Sequence, residues 1–163
     1  MARKQLGFII FETLFAVALI GVGNVTSVNA QEPTKEKSLY ERLGGVYAVA
    51  SVVDDFIERL LVNDVLNANP AIKEARDRVP KAGLKHRVTE LVCQVTGGPE
   101  TYHGRSMKES HAHLNITEKE WQAMVTDFKK TLDHFKVPEK EQNELFAIVE
   151  STKPDIVISS SMK

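Results

Sequence analysis

Five histidines, His86, His103, His111, His113 and His134, are the side chains of this sequence best suited to hold a metal or exchange a proton near neutral pH. A structural zinc site asks for three or four His, Cys, Asp or Glu ligands at a recognisable spacing. Neither His-Glu-x-x-His nor paired Cys-x-x-Cys occurs, and Cys93 is the single cysteine, so the pattern argues against zinc. Haem asks for less: one imidazole on the iron, an apolar slot for the porphyrin and cations for its carboxylates. Between Arg105 and Leu114, the residues Met107, His111 and Leu114 stand at i, i+4 and i+7, which puts them on one helical face. His113 is turned about 200° from His111 by ordinary helix geometry and falls beside Glu109. Helical phase therefore selects His111 over His113. The same periodicity is equally compatible with a partly buried histidine hydrogen-bonded inside a helical core, and a methionine-bearing stripe is as readily core as cofactor pocket.

The elements around these histidines read as helices throughout. No window alternates with period two between turn residues, whereas several carry apolar positions at helical spacing. After Leu43-Gly44-Gly45, the positions Val49, Val52, Val53, Phe56, Ile57 and Leu60 make one continuous stripe and predict a long helix. Residues 63 to 83 read as a connection with one short charged helix over Ile72 to Arg78, bounded by Pro70 and Pro80 as breakers. Leu84, Val88, Leu91 and Val95 form a short amphipathic helix closed by Gly97-Gly98-Pro99. A small helix over Arg105 to Leu114 carries His111. Thr117 and Glu120 fit a capping box, with Ile116 and Trp121 placed for the flanking staple, and the helix they start has the stripe Trp121, Met124, Val125, Phe128, Leu132 and Phe135. Pro138 opens a last helix with Leu145, Phe146, Ile148 and Val149 on its apolar side. Residues 154–163 read as a loose tail.

Length and charge narrow the possibilities further. A chain of 163 residues suits one domain with a real core. With 21 basic and 22 acidic side chains and no basic cluster, it presents no field for nucleic acid. The N-terminus stands apart: Arg3 and Lys4 precede an apolar run from Phe8 to Val22, then Val28-Asn29-Ala30 supplies small residues before Gln31. That layout reads as a secretory signal peptide over 1–30, followed by a short polar tail at 31–37, and implies an exported, periplasmic protein with no membrane span in its mature form. The run is shorter than the roughly 20 apolar residues of a bilayer span and contains Glu12. Gly7-Phe8-Ile9-Ile10-Phe11-Glu12 also resembles a prepilin leader, which would leave the chain anchored. One thiol allows no intrachain disulfide, so stability rests on packing or a bound cofactor.

Two blocks of residues resemble the group I truncated haemoglobins. Ser38-Leu39-Tyr40-Glu41-Arg42-Leu43-Gly44-Gly45 is similar to that family's opening. Gly97-Gly98-Pro99 followed by Tyr102-His103-Gly104-Arg105-Ser106-Met107-Lys108-Glu109-Ser110-His111 is similar to its proximal segment. The resemblance runs from about Ser38 to Val149. It implies an all-α truncated globin over 38–153, a two-over-two helical sandwich around haem b, with His111 as the proximal iron ligand. It further implies a pocket built from Phe56, Ile57, Leu84, Arg87, Val88, Leu91, Tyr102, Arg105, Met107 and Met124. Arg87, and Arg105 or Lys108 from the proximal side, become candidates for the haem propionates.

The distal side departs from the family pattern. Relatives commonly place a tyrosine on the second helix and a glutamine on the distal helix to hydrogen-bond oxygen; Ile57 and Leu84 stand at those positions, and the connection over 63–83 is longer than usual. His86 and Lys85 are the nearest candidates for a sixth iron ligand, although helical phase turns His86 away from Leu84. The expected function is reversible binding of oxygen, nitric oxide or carbon monoxide. The alternatives are a haem-dependent redox enzyme, either a nitric oxide dioxygenase served by a redox partner or a peroxidase-like one, and a haem-free helical binding module.

Overall fold

The computed structural model describes residues 36–158. The leader expected over 1–30, most of the polar tail after it and the last five residues lie outside the described residues. Among the described residues eight helices follow one another: α1 (Leu39–Leu43), α2 (Gly45–Val62), α3 (Asp64–Asn67), α4 (Pro70–Arg78), α5 (Lys81–Val95), α6 (Met107–His111), α7 (Glu118–His134) and α8 (Glu139–Ile156).

Local sequence sets most boundaries. Ser38 and Glu41 form a reciprocal capping box at α1. Gly44 then takes a left-handed φ of 97° and turns the chain directly into α2. The capping box expected at Thr117 is formed, with Glu120 closing it, and starts α7. The stripes find one another as their spacing requires. Val49, Val53 and Ile57 of α2 are buried against Cys93 of α5, while Leu39, Phe128, Leu132 and Leu145 join α1, α7 and α8. Phe56 links the two groups, its ring 5.1 Å from that of Phe128. Arg42 fastens α1 to α8 through Glu141 and Glu144, and Thr131 Oγ1 on α7 donates to Asp55 on α2 at 2.7 Å. None of the helices among the described residues is long and apolar enough to cross a membrane.

Three segments differ from the sequence pattern. The stretch over 63–83 holds two helices before α5 rather than one, because Asn63 and Asn69 each accept hydrogen bonds from the first backbone amides of a helix. Pro70 stands in the first turn of α4 and Pro80 caps α5, so both prolines begin helices instead of breaking them. The helix bearing His111 is confined to Met107–His111, bounded by the Ser106 cap and followed by Asn115 at φ 48°. The C-terminal segment is held beyond Lys153: α8 runs through Pro154 to Ile156, Val157 pairs with Ile116, and Ile158 N–H donates to the Ile116 carbonyl at 2.9 Å.

Candidate functional site

A cavity of about 1560 Å³ runs between α2, α5, α6, α7 and α8, with α4 along one side. Small-molecule pockets commonly span about 300–1,000 Å³, so this one has room for a large ligand. Its walls receive Phe56 and Ile57 from α2, and Leu84, Arg87, Val88 and Leu91 from α5. Tyr102, Arg105, Met107 and His111 line it from the segment around α6, and Met124 from α7. Every pocket residue expected from the sequence thus borders one space. Leu114 borders it as well, although it lies in the turn after α6 rather than on the helix.

His111 is held by its own segment. Ser106 caps α6 with its hydroxyl on the Glu109 amide at 3.2 Å, and Glu109 returns its carboxylate to the Ser106 amide at 3.0 Å. The Ser106 hydroxyl and amide keep the Glu109 carboxyl below its ordinary pKa. Ahead of the helix, Tyr102 donates its hydroxyl to the Arg105 carbonyl at 2.8 Å, and the Gln94 side-chain oxygen accepts from the Tyr102 amide at 2.7 Å. Gly104 is needed there, since a Cβ at that residue would lie 2.1 Å from the Tyr102 hydroxyl. One turn below His111, the Met107 carbonyl is 2.8 Å from Nδ1. A carbonyl only accepts, so Nδ1 carries the proton and Nε2 keeps its lone pair for a ligand. The ring is half-buried on the cavity wall.

The other histidines are placed differently. His103 touches the rim with its ring mostly exposed, 3.6 Å from Glu90. His86 is exposed and pairs with Glu90 at 3.3 Å, and Lys85 pairs with Asp54 and Glu58. Neither His86 nor Lys85 borders the cavity. His113 and His134 are exposed away from it. Arg87 is at the wall with Nη1 on Glu90 at 2.8 Å, a contact that lowers the Glu90 pKa; Arg105 is also at the wall, and Lys108 is not.

On the α2 and α5 wall of the cavity, Ile57 is buried, Leu84, Val88 and Leu91 are half-buried, and none carries a hydrogen-bond donor in its side chain. Behind it, Cys93 is fully buried, and burial followed by the nearby Glu100 carboxylate raises its thiol to about 11. The sequence reading missed the cavity residues Ile72, Ala75 and Arg76 of α4, Val79 that caps it, and Trp121 of α7. Their signal was present as the spacing 72, 75, 76, 79 within a segment read for its charge.

The model of a family described as bacterial-like globin matches residues 38–157. This chain belongs to the bacterial-like globins. Within them it is similar to the group 1 truncated hemoglobin of Synechocystis, at 32% identity over 115 residues, covering 68% of this chain and 88% of that protein. It is also similar to the group 1 truncated hemoglobin of Tetrahymena pyriformis, at 25% identity over 76% of this chain and 97% of the relative. The crystal structure of the Fe(III) form of the Tetrahymena protein superposes with a TM-score of 0.63, at 24% identity, over 76% of this chain and all of that one. A 2/2 hemoglobin from a Synechococcus, solved in the cyanomet state with covalently attached heme, gives 0.62 at 24% identity, over 74% and 98%. The fold is the all-helical truncated 2/2 globin, a family whose name implies haem. The residues present fit that group: an imidazole with a free Nε2, a large apolar cavity, and Arg87 and Arg105 among the arginines at its wall.

Proposed function

We propose that this globin holds haem b through His111 Nε2 and reversibly binds a diatomic gas. Haem, when bound, would supply an iron that takes a small gas ligand. The observation that carries the reading is the Met107 carbonyl on His111 Nδ1, which fixes the imidazole tautomer with Nε2 free at the wall of an apolar cavity. Arg105 and Arg87, both at the cavity wall, would meet the two propionates. Met107, Met124, Trp121, Phe56, Leu91 and Val88 supply apolar surface to the slot.

Ile57 and Leu84 set the selectivity. Oxygen is held more firmly where a donor meets its partial negative charge, a hydrogen bond worth about 1 kcal/mol net. These two side chains offer none, so oxygen leaves quickly, while carbon monoxide, which gains less from a donor, is affected less. The direct test is titration with haemin followed by reduction and exposure to carbon monoxide. The expected result is a one-to-one complex with a Soret band that shifts on carbon monoxide binding; a protein that takes up no haemin contradicts the proposal.

A further inference from the structure

The helix α4, expected from the sequence as a short charged helix over Ile72 to Arg78, is built unlike its neighbours. Ile72, Ala75, Arg76 and Val79 recur at i, i+3, i+4 and i+7, and all four border the cavity, so one side of α4 and its capping residue faces inward. Yet α4 contains no buried residue, and its packing on protein is chiefly against adjacent α3. A helix face of this kind gains its packing partner only when something fills the space beside it.

Two side chains pin α4 in place. At its start, Asn69 Nδ2 donates to the Leu114 carbonyl at 2.9 Å, three residues beyond His111. Near its end, Arg76 Nη1 donates to the Leu61 carbonyl at 3.3 Å and to the Asn67 side-chain oxygen. Both acceptors are neutral, and the Arg76 carboxylate contact, Asp77 at 3.3 Å, is itself mostly exposed. The joints on either side are Asn69 (φ −83°, ψ 113°) and Val79 (φ −94°, ψ 122°), each extended and each preceding a proline, which disfavours continuation of a helix through that point. Beyond the second joint, Gly83 faces open space at the cavity wall: a Cβ there would meet nothing within 4 Å.

We infer that α4 is a lid on the cofactor cavity, its Ile72, Ala75 and Val79 face packing on bound porphyrin and Arg76 acting as the latch that positions it. The inference rests on the proposal that the cavity holds haem. Arg76 is a positioning residue here, holding α4 against the end of α2. Through Asn69 the lid is also tied to the segment that carries His111, so closing one side steadies the other.

The test is hydrogen exchange of the full chain with and without haemin, together with transfer of haem to excess apomyoglobin from the wild type, Arg76→Leu and Lys73→Ala. Lys73 is on the exposed side of α4 and serves as the control. Haemin is expected to slow exchange in α4 more than in α7. Arg76→Leu is expected to release haem about tenfold faster, as suits loss of a charged hydrogen bond, with an unchanged ferrous carbon monoxide spectrum. Lys73→Ala is expected to match the wild type. Equal α4 exchange in the two states, beneath a normal Soret band, overturns the lid. Wild-type release from Arg76→Leu does the same. A wild type without any Soret band overturns the haem proposal, and the lid falls with it. The exchange comparison uses only wild-type protein and so does not depend on how a variant folds.

Discussion

The two sides of the cavity are specified in different ways. On the side of His111, position is set within ten residues: Tyr102 closes on Arg105, Ser106 and Glu109 cap each other, and Met107 orients the ring. On the α2 and α5 wall, Ile57, Leu84 and Val88 come from two helices that pack on each other, and α4 is tied to that wall through the contact of Arg76 with Leu61. Under the proposed function, the chemistry that needs one atom aimed correctly would sit on the locally encoded side, and selectivity on the wall assembled from distant residues.

That contrast can be broken most sharply at Leu84. Replacing it with glutamine installs a donor on the apolar wall, and oxygen dissociation from the reduced, haem-loaded protein should slow about fivefold, with carbon monoxide dissociation changing less than about twofold. Unchanged oxygen release would mean that Leu84 does not face the gas. On the His111 side, Ser106→Ala removes the α6 cap and should cost about 1 kcal/mol in denaturant unfolding. It should also broaden the proximal environment seen by resonance Raman, whereas Leu84→Gln should leave that signal in place.

A smaller effect separates the wall from its support. Asp55 is held below its ordinary pKa by the Arg59 guanidinium, with help from the Thr131 hydroxyl and against the opposing effect of burial. A depressed carboxylate stabilises the fold above its unfolded pKa, about 3.9, and the contribution is lost as the pH falls through the folded value. Asp55→Asn should therefore unfold more readily than the wild type at neutral pH, and the two should converge on acidification. The smallest effect concerns Cys93. Fully buried, with its thiol raised to about 11, it should stay silent to a thiol reagent at pH 8 in the folded protein and react on unfolding. Rapid reaction in the folded state would show that the α2 and α5 wall opens.

The legibility of this protein in its sequence follows the same division. The capping signal at Thr117, the Gly97-Gly98 stop and the stripe of α2 are local or strictly periodic, and the helices they predict are present. His111 emerged from phase together with a contiguous block resembling a known proximal segment. The segment over 63–83 was harder, because Asn63 and Asn69 act as caps only in combination with the prolines and the chain path around them, and Pro70 and Pro80 read equally as ends or beginnings. Arg76 looked like one more exposed charge in a charged stretch. Only the folded chain brings it to the Leu61 carbonyl, fifteen residues away. The hold on residues 154–158 was likewise invisible, since Ile116 is forty residues distant.

The central claim is that His111, alone among the five histidines, binds the iron. Its most direct test compares the ferrous spectrum of the haem-loaded wild type with those of His111→Gly, His103→Ala and His113→Ala, each with and without added imidazole. The account predicts that only His111→Gly loses the histidine-ligated spectrum and that imidazole restores it. A His111→Gly protein whose spectrum matches the wild type without imidazole would contradict the account.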